Sequence, residues 1–251
     1  MLSRKLYSRH GRPTRLSDPH FDFTPSLLAD LLAVPDEKMA WQHFSHLLGP
    51  HLPAGTYEET EYFFPRAVDY LLANHDAALD LITPVVGFVS NNAAELHRDG
   101  LLDVARDGLR LCFTGLTNRF EVQHFDSEAC AAKGWRLSYF DCVTNQEAVC
   151  QGTTDLARFA THVDLAEEFV QSLAHHDGNP TRAAWFLEYA HSVDAVYTPP
   201  DHPPIRALLS DKSLLDGAAA VVRESLVPQE RSPTYWRDTF VALSLLPHAG
   251  A

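Results

Sequence analysis

The chain has 251 residues, 45% of them hydrophobic, with 33 acids against 20 bases and a formal charge of −13. The apolar content excludes a disordered chain, and no uninterrupted apolar run approaches the roughly 18–20 residues needed to span a bilayer. Residues 1–17 hold Arg4, Lys5, Arg9, Arg12 and Arg15 and no acid, so residues 18–251 carry all 33 acids and 15 bases, a formal −18; such a body does not grip a phosphate backbone, and it favours a basic partner.

The basic leader lacks the apolar core of a secretory signal, while its Arg and Ser content also matches a mitochondrial transit peptide. Gly11, Pro13 and Pro19 break any amphipathic helix there, so the expectation is a disordered basic tail over residues 1–20. Pro25 to Ala33 reads as a helix capped by Thr24, with Pro25 at its first position. Asp36 opens a second helix to Leu48, with Met39, Phe44, Leu47 and Leu48 as its buried stripe, and Gly49-Pro50 ends it.

Thr56 to Ala73 is the next helix. Thr56 and Glu59 make a capping box, and Pro65 predicts a kink or a fresh start. A long apolar helix follows from His75 to Arg98, interrupted at Pro84 and Gly87. Asp99-Gly100 is a turn. Leu101 to about His124 is amphipathic, with Asp103, Arg106, Asp107 and Arg110 on its open side. Residues 134–151 alternate in part and read as a small β-hairpin, or as a helix from Asn145 onward.

Thr153 to His175 and Thr181 to Val196 are helices joined by the loop His175-His176-Asp177-Gly178-Asn179-Pro180. Residues 198–204 are a Pro-rich extended connector. Ile205 to Leu226 and Pro233 to Leu246 close the chain as helices. The fold class is all-α: an irregular antiparallel helical bundle or a short α-solenoid. It forms one domain over 21–251, with a helical appendage after the connector.

Cys112, Cys130, Cys142 and Cys150 contain no C-x-x-C and read as reduced, buried thiols. Sixteen arginines against four lysines suggest a bacterial GC-rich genome. With no secretory signal, the expected location is the cytoplasm. Oligomeric state is not indicated.

The sharpest chemical pattern is a pair of E-x-x-H sequences, Glu121/His124 and Glu188/His191. A spacing of three sets both groups on one helix face, and di-metal helical bundles use two such pairs plus further glutamates. Glu58, Glu59 or Glu61 and Glu167 or Glu168 stand in the right order, and Glu167 is the candidate in the second half. Chance supplies almost one such match in a chain with 13 Glu and 14 His. His43/His46 reads as a surface pair, His75-Asp76 with Asp80 as an acidic first turn, and His175-His176-Asp177 as a solvated turn. G-x-S-x-G, G-x-x-x-x-G-K and G-x-G-x-x-G are absent, so nucleophilic-serine, P-loop and dinucleotide readings lack support.

Glu58-Glu59-Thr60-Glu61 is followed by Tyr62-Phe63-Phe64, joining charge to aromatic anchors. Glu58, Glu59, Glu61 and Tyr62 are the candidate partner-binding residues. The reading is a non-enzymatic acidic protein that docks a basic protein, with no nucleic acid, membrane or cofactor. In a bacterial cytoplasm, an immunity protein neutralising a cationic toxin suits that chemistry. The alternative is a di-iron or di-manganese oxygenase or hydrolase built on Glu121, His124, Glu167, Glu188 and His191.

Overall fold

The computed structural model describes residues 11–49, 53–74, 78–117, 152–157, 162–195 and 202–225. Among these residues the protein is all-α, with helices and turns and no strand. The hairpin expected over 134–151 and the helix expected from Pro233 lie outside the described residues. The chain divides into two compact units. One is Met1–Leu116 with Phe159–Leu165, the other Thr117–Arg158 with Ala166–Ala251.

The first unit begins with α1 (Pro25–Ala33), capped as expected by the Thr24 side chain, which accepts from the Leu27 N–H at 3.3 Å. A 3₁₀ turn at Asp36–Lys38 then breaks the helix expected to run through to Leu48, and α2 (Trp41–Leu48) starts afresh. His43 explains that restart. Its Nδ1 accepts the Ala40 N–H at 2.9 Å and so satisfies a donor that the helix end leaves open.

The stretch 56–73 divides into short α3 (Tyr57–Thr60) and α4 (Phe64–Ala73), with the fresh start beside Pro65. Pro65 falls in the first turn of α4, where its missing N–H costs no hydrogen bond. α5 (Ala78–Asn91) continues through Pro84. The helices α2, α4 and α5 pack pairwise. They bury Phe44, Leu47 and Leu48 against Phe64, Val68 and Leu71 and against Leu81, Ile82, Val85, Val86 and Val89. Each such side chain contributes about 1.5–3 kcal/mol when fully buried. The Phe88 ring stacks on Phe64 at 4.9 Å and on Tyr57 at 6.2 Å between centroids.

α6 (Ala93–Arg98) ends in a Schellman turn. The Leu101 N–H donates to the Leu96 carbonyl at 2.8 Å, and the Gly100 N–H donates to that of His97 at 3.0 Å. Gly100 takes φ +68°, the left-handed conformation this turn requires. Leu96 and Leu101 are both buried, completing the apolar contact typical of the motif. α7 (Leu102–Thr117) then runs with Ala105, Leu109, Cys112 and Phe113 inward. Its Arg106 pairs with Asp164, at the start of α8 (Val163–Ala174).

In the second unit, α9 (Pro180–Ala195) is capped by Asn179, whose Oδ1 accepts the Arg182 N–H at 3.2 Å. It packs on α10 (Pro203–Ser210) and α11 (Lys212–Ser225). Trp185, Phe186, Leu187 and Tyr189 are all buried, so α9 is covered on several faces at once. The helix expected over 205–226 is broken at Asp211, whose carboxylate accepts the N–H of Ser213 at 2.8 Å and of Leu214 at 3.2 Å. That N-cap starts α11 independently. Pro203 and Pro204 open α10, in place of the extended backbone expected to residue 204.

Candidate functional site

The acidic cluster expected to form one open face is split between three roles. Glu58 is exposed. Glu59 is turned onto the leader: it accepts from the Ser17 N–H at 2.8 Å, the Ser17 hydroxyl at 2.5 Å and the Thr56 N–H at 3.1 Å. Glu61 is 3% exposed and belongs to the interior. Tyr62 donates its hydroxyl to Asp36 at 2.5 Å. Of the four predicted binding residues, then, Glu58 alone presents an open carboxylate. Helix geometry explains this: positions 57, 60 and 61 face the core, which brings Glu61 in along with the apolar stripe.

Asp36 is the centre of the larger arrangement. Its Oδ1 takes the Arg12 guanidinium at 2.8 Å, and its Oδ2 takes Arg66 Nε at 2.7 Å beside the Tyr62 hydroxyl. Arg66 lies 3.6 Å over the Tyr62 ring and Arg12 5.8 Å from the Phe63 centroid. Arg12 also donates to the Leu32 and Val34 carbonyls at the end of α1. Partial burial pushes the Asp36 carboxyl upward, but hydrogen bonds from Tyr62 and Arg66 and the charges of Arg66 and Arg12 hold it below its ordinary range. Burial and the Asp36 hydrogen bond raise the Tyr62 hydroxyl.

Residues 11–20 of the leader make specific contacts with the body. Arg12 and Ser17 are tied to the body, and Leu16 is buried. Gly55 allows the close approach: a Cβ there would meet Glu59 Oε2 at 2.9 Å and Leu16 Cδ2 at 3.0 Å. Residues 1–10 lie outside the described residues.

Beyond Ser17 the leader turns outward. The Asp18 N–H donates to the Ala54 carbonyl at 3.2 Å, and Asp18 is 6% exposed. Its carboxylate accepts the N–H of Asp22 at 3.3 Å and of Phe23 at 3.0 Å, and its carbonyl accepts that of Phe21 at 3.2 Å. Phe23 meets the His46 ring edge-on at 5.6 Å. Between these anchors Pro19, His20, Phe21 and Asp22 are exposed, and Phe21 is 91% exposed. Sequence reasoning missed this loop. The available signal was an Asp-Pro step, because Asp readily caps its own backbone in a turn.

The side chains of both E-x-x-H pairs fall outside the described residues. Glu121 and His124 lie outside them. Glu188 and His191 fall on α9, but their side chains also lie outside the described set. Glu167 accepts from Gln171 at 2.9 Å and stands 3.9 Å from His202 Nε2. Among the described residues no group of three or more His, Cys, Asp or Glu is placed to hold a metal ion. The His175-His176 pattern has local tasks: His176 accepts the Gly178 N–H at 3.1 Å, and His175 Nδ1 lies 2.9 Å from the Gln171 carbonyl; His75-Asp76 lies outside the described residues. Among the described residues no helix is long and apolar enough to cross a membrane. Comparison with family models, with characterised proteins and with solved structures finds no match to this chain.

Proposed function

We propose that this protein is a non-enzymatic helical binder whose acidic surface docks a basic protein, with neutralisation of a cationic toxin in a bacterial cytoplasm as the role that chemistry suits. The observation that carries the reading is the fate of the arginines. Arg12, Arg15, Arg66, Arg98, Arg106 and Arg110 each lie against a carboxylate of the same unit. Residues 11–117 hold fifteen acids and seven bases, a formal −8. The exposed carboxylates of Asp22, Asp30, Glu37, Glu58 and Asp103 stand outside those pairs. Six of the seven bases in this stretch are therefore matched by a carboxylate of the same unit, and the field left over is negative. Such a field steers a cationic partner and excludes an anionic one.

The test is the association rate with the partner that copurifies with the full chain, followed from about 50 to 500 mM salt, where the screening length falls severalfold. The expected result is a rate falling about tenfold or more across that range. Salt-independent association, or a partner of net negative charge, would refute the reading.

A further inference from the structure

We propose that Phe21, at the tip of the loop 19–22, is the apolar anchor with which the acidic surface seizes its basic partner; this rests on the binding reading above and names its contact point. A singly exposed apolar side chain is ordinary on a protein surface. Phe21 is different because the backbone beneath it is constrained to hold it there. Phe21 sits at φ +60° and Asp18 at φ +40°, a region that bulky side chains avoid. Asp18 is buried and commits both carboxylate oxygens to the Asp22 and Phe23 amides, and Phe23 is held against His46. The loop is fixed at both ends, and its strain brings no burial to the ring it carries. Within the free molecule that ring contributes no packing. Its value lies in a contact made with something else.

The charge around the tip says which partner fits. Asp22 adjoins Phe21 and is exposed, and the unit that carries the tip is acidic. An exposed aromatic side chain beside the Asp22 carboxylate, on a unit of net negative charge, suits a pocket on a basic protein. The ring enters the desolvated centre and the Asp22 carboxylate meets Lys or Arg at the rim.

The experiment selects a displayed library of random peptides on the full chain, then compares binding to wild type, Phe21→Ala and Phe21→Gly. Glycine removes the ring and also accepts the positive φ, so Phe21→Gly should melt no lower than wild type and separates loss of the anchor from loss of the fold. Enriched peptides are expected to be basic and to bind both variants about thirtyfold more weakly. Basic peptides that bind all three proteins alike would overturn the Phe21 assignment and leave the basic-partner reading standing. Peptides with no positive bias would overturn that reading and the anchor together. Absence of any enrichment would count against the anchor. Self-association of the wild type that disappears in Phe21→Gly would make the occupant a second copy of the chain, and so overturn the proposal.

Discussion

Arg12 and Asp36 stand 24 positions apart and meet at 2.8 Å, and the same carboxylate holds Arg66 and Tyr62 on its other oxygen. One acid thus joins the leader, the turn after α1 and the start of α4. Removing it should loosen all three.

Asp36→Asn keeps the shape but removes the charge on which two guanidiniums depend. The expected loss is about 2 kcal/mol, because charge-assisted hydrogen bonds are lost at a half-buried site. For a chain of this size that lowers the melting temperature by about 5 °C. The native carboxyl titrates below its unfolded value near 3.9, so its contribution is complete above about pH 4 and fades as pH falls through the depressed native value. Thermal melts from pH 7 to pH 3 should show the wild type losing its advantage over Asp36→Asn only at the acid end.

Glu59→Ala should free the leader. The carboxylate receives Ser17 and Thr56, with Arg15 at 3.8 Å. The Arg15 side chain is 85% exposed, but Leu16 is buried. A protease needs several residues in extended form, so the bound leader resists cleavage after Arg15. Trypsin should cut that bond about tenfold faster in the variant, as read by mass spectrometry of the released peptide. An unchanged rate would mean that Arg12 and Asp36 hold the leader without help.

Gly100→Ala tests the Schellman turn. No atom lies within 4 Å of a Cβ at that position, so crowding adds nothing and the whole effect comes from φ +68°. The expected destabilisation is about 1 kcal/mol by denaturant unfolding. Gly217, which has the same open space but no positive φ, serves as the control. Its replacement by Ala inside α11 should stabilise by roughly 0.5–1 kcal/mol.

The Cys112 thiol should be inert in the folded protein. Burial, with a smaller push from Asp69, raises it to about 12. Thiolate is the reactive form, so alkylation at Cys112 should follow unfolding rather than reagent concentration at neutral pH. Peptide mapping after timed exposure to iodoacetamide reads this directly. Rapid labelling in native buffer would show that the α7 face opens locally.

Local signals were legible in the sequence. Thr24 capping α1, Glu59 reaching back to Thr56 and the turn at Asp99-Gly100 all involve partners within a few residues, so spacing alone reveals them. The leader was not legible, because its contacts join residues 24 and 42 positions apart. Prolines at 13 and 19 exclude a helix but not a packed strap. The acidic cluster was visible as composition, while the division of labour among Glu58, Glu59 and Glu61 depended on which helix face meets the core. The breaks at Ala40 and Asp211 were missed for a related reason. Each is made by a polar side chain that accepts from backbone amides two or three residues away, inside a run whose apolar periodicity continues unbroken.

α9 has a consequence for synthesis. Trp185, Phe186 and Tyr189 are buried in the finished unit, and α11, which packs on this helix, ends at Ser225. At roughly 5–20 residues per second, a ribosome needs a few seconds to pass from the end of α9 to the end of α11. During that interval the nascent chain carries an aromatic helix with no cover from α11. Slow codons or a pause between residues 195 and 225 would lengthen the exposure and call for a holding chaperone, whereas rapid translation of the same stretch would shorten it.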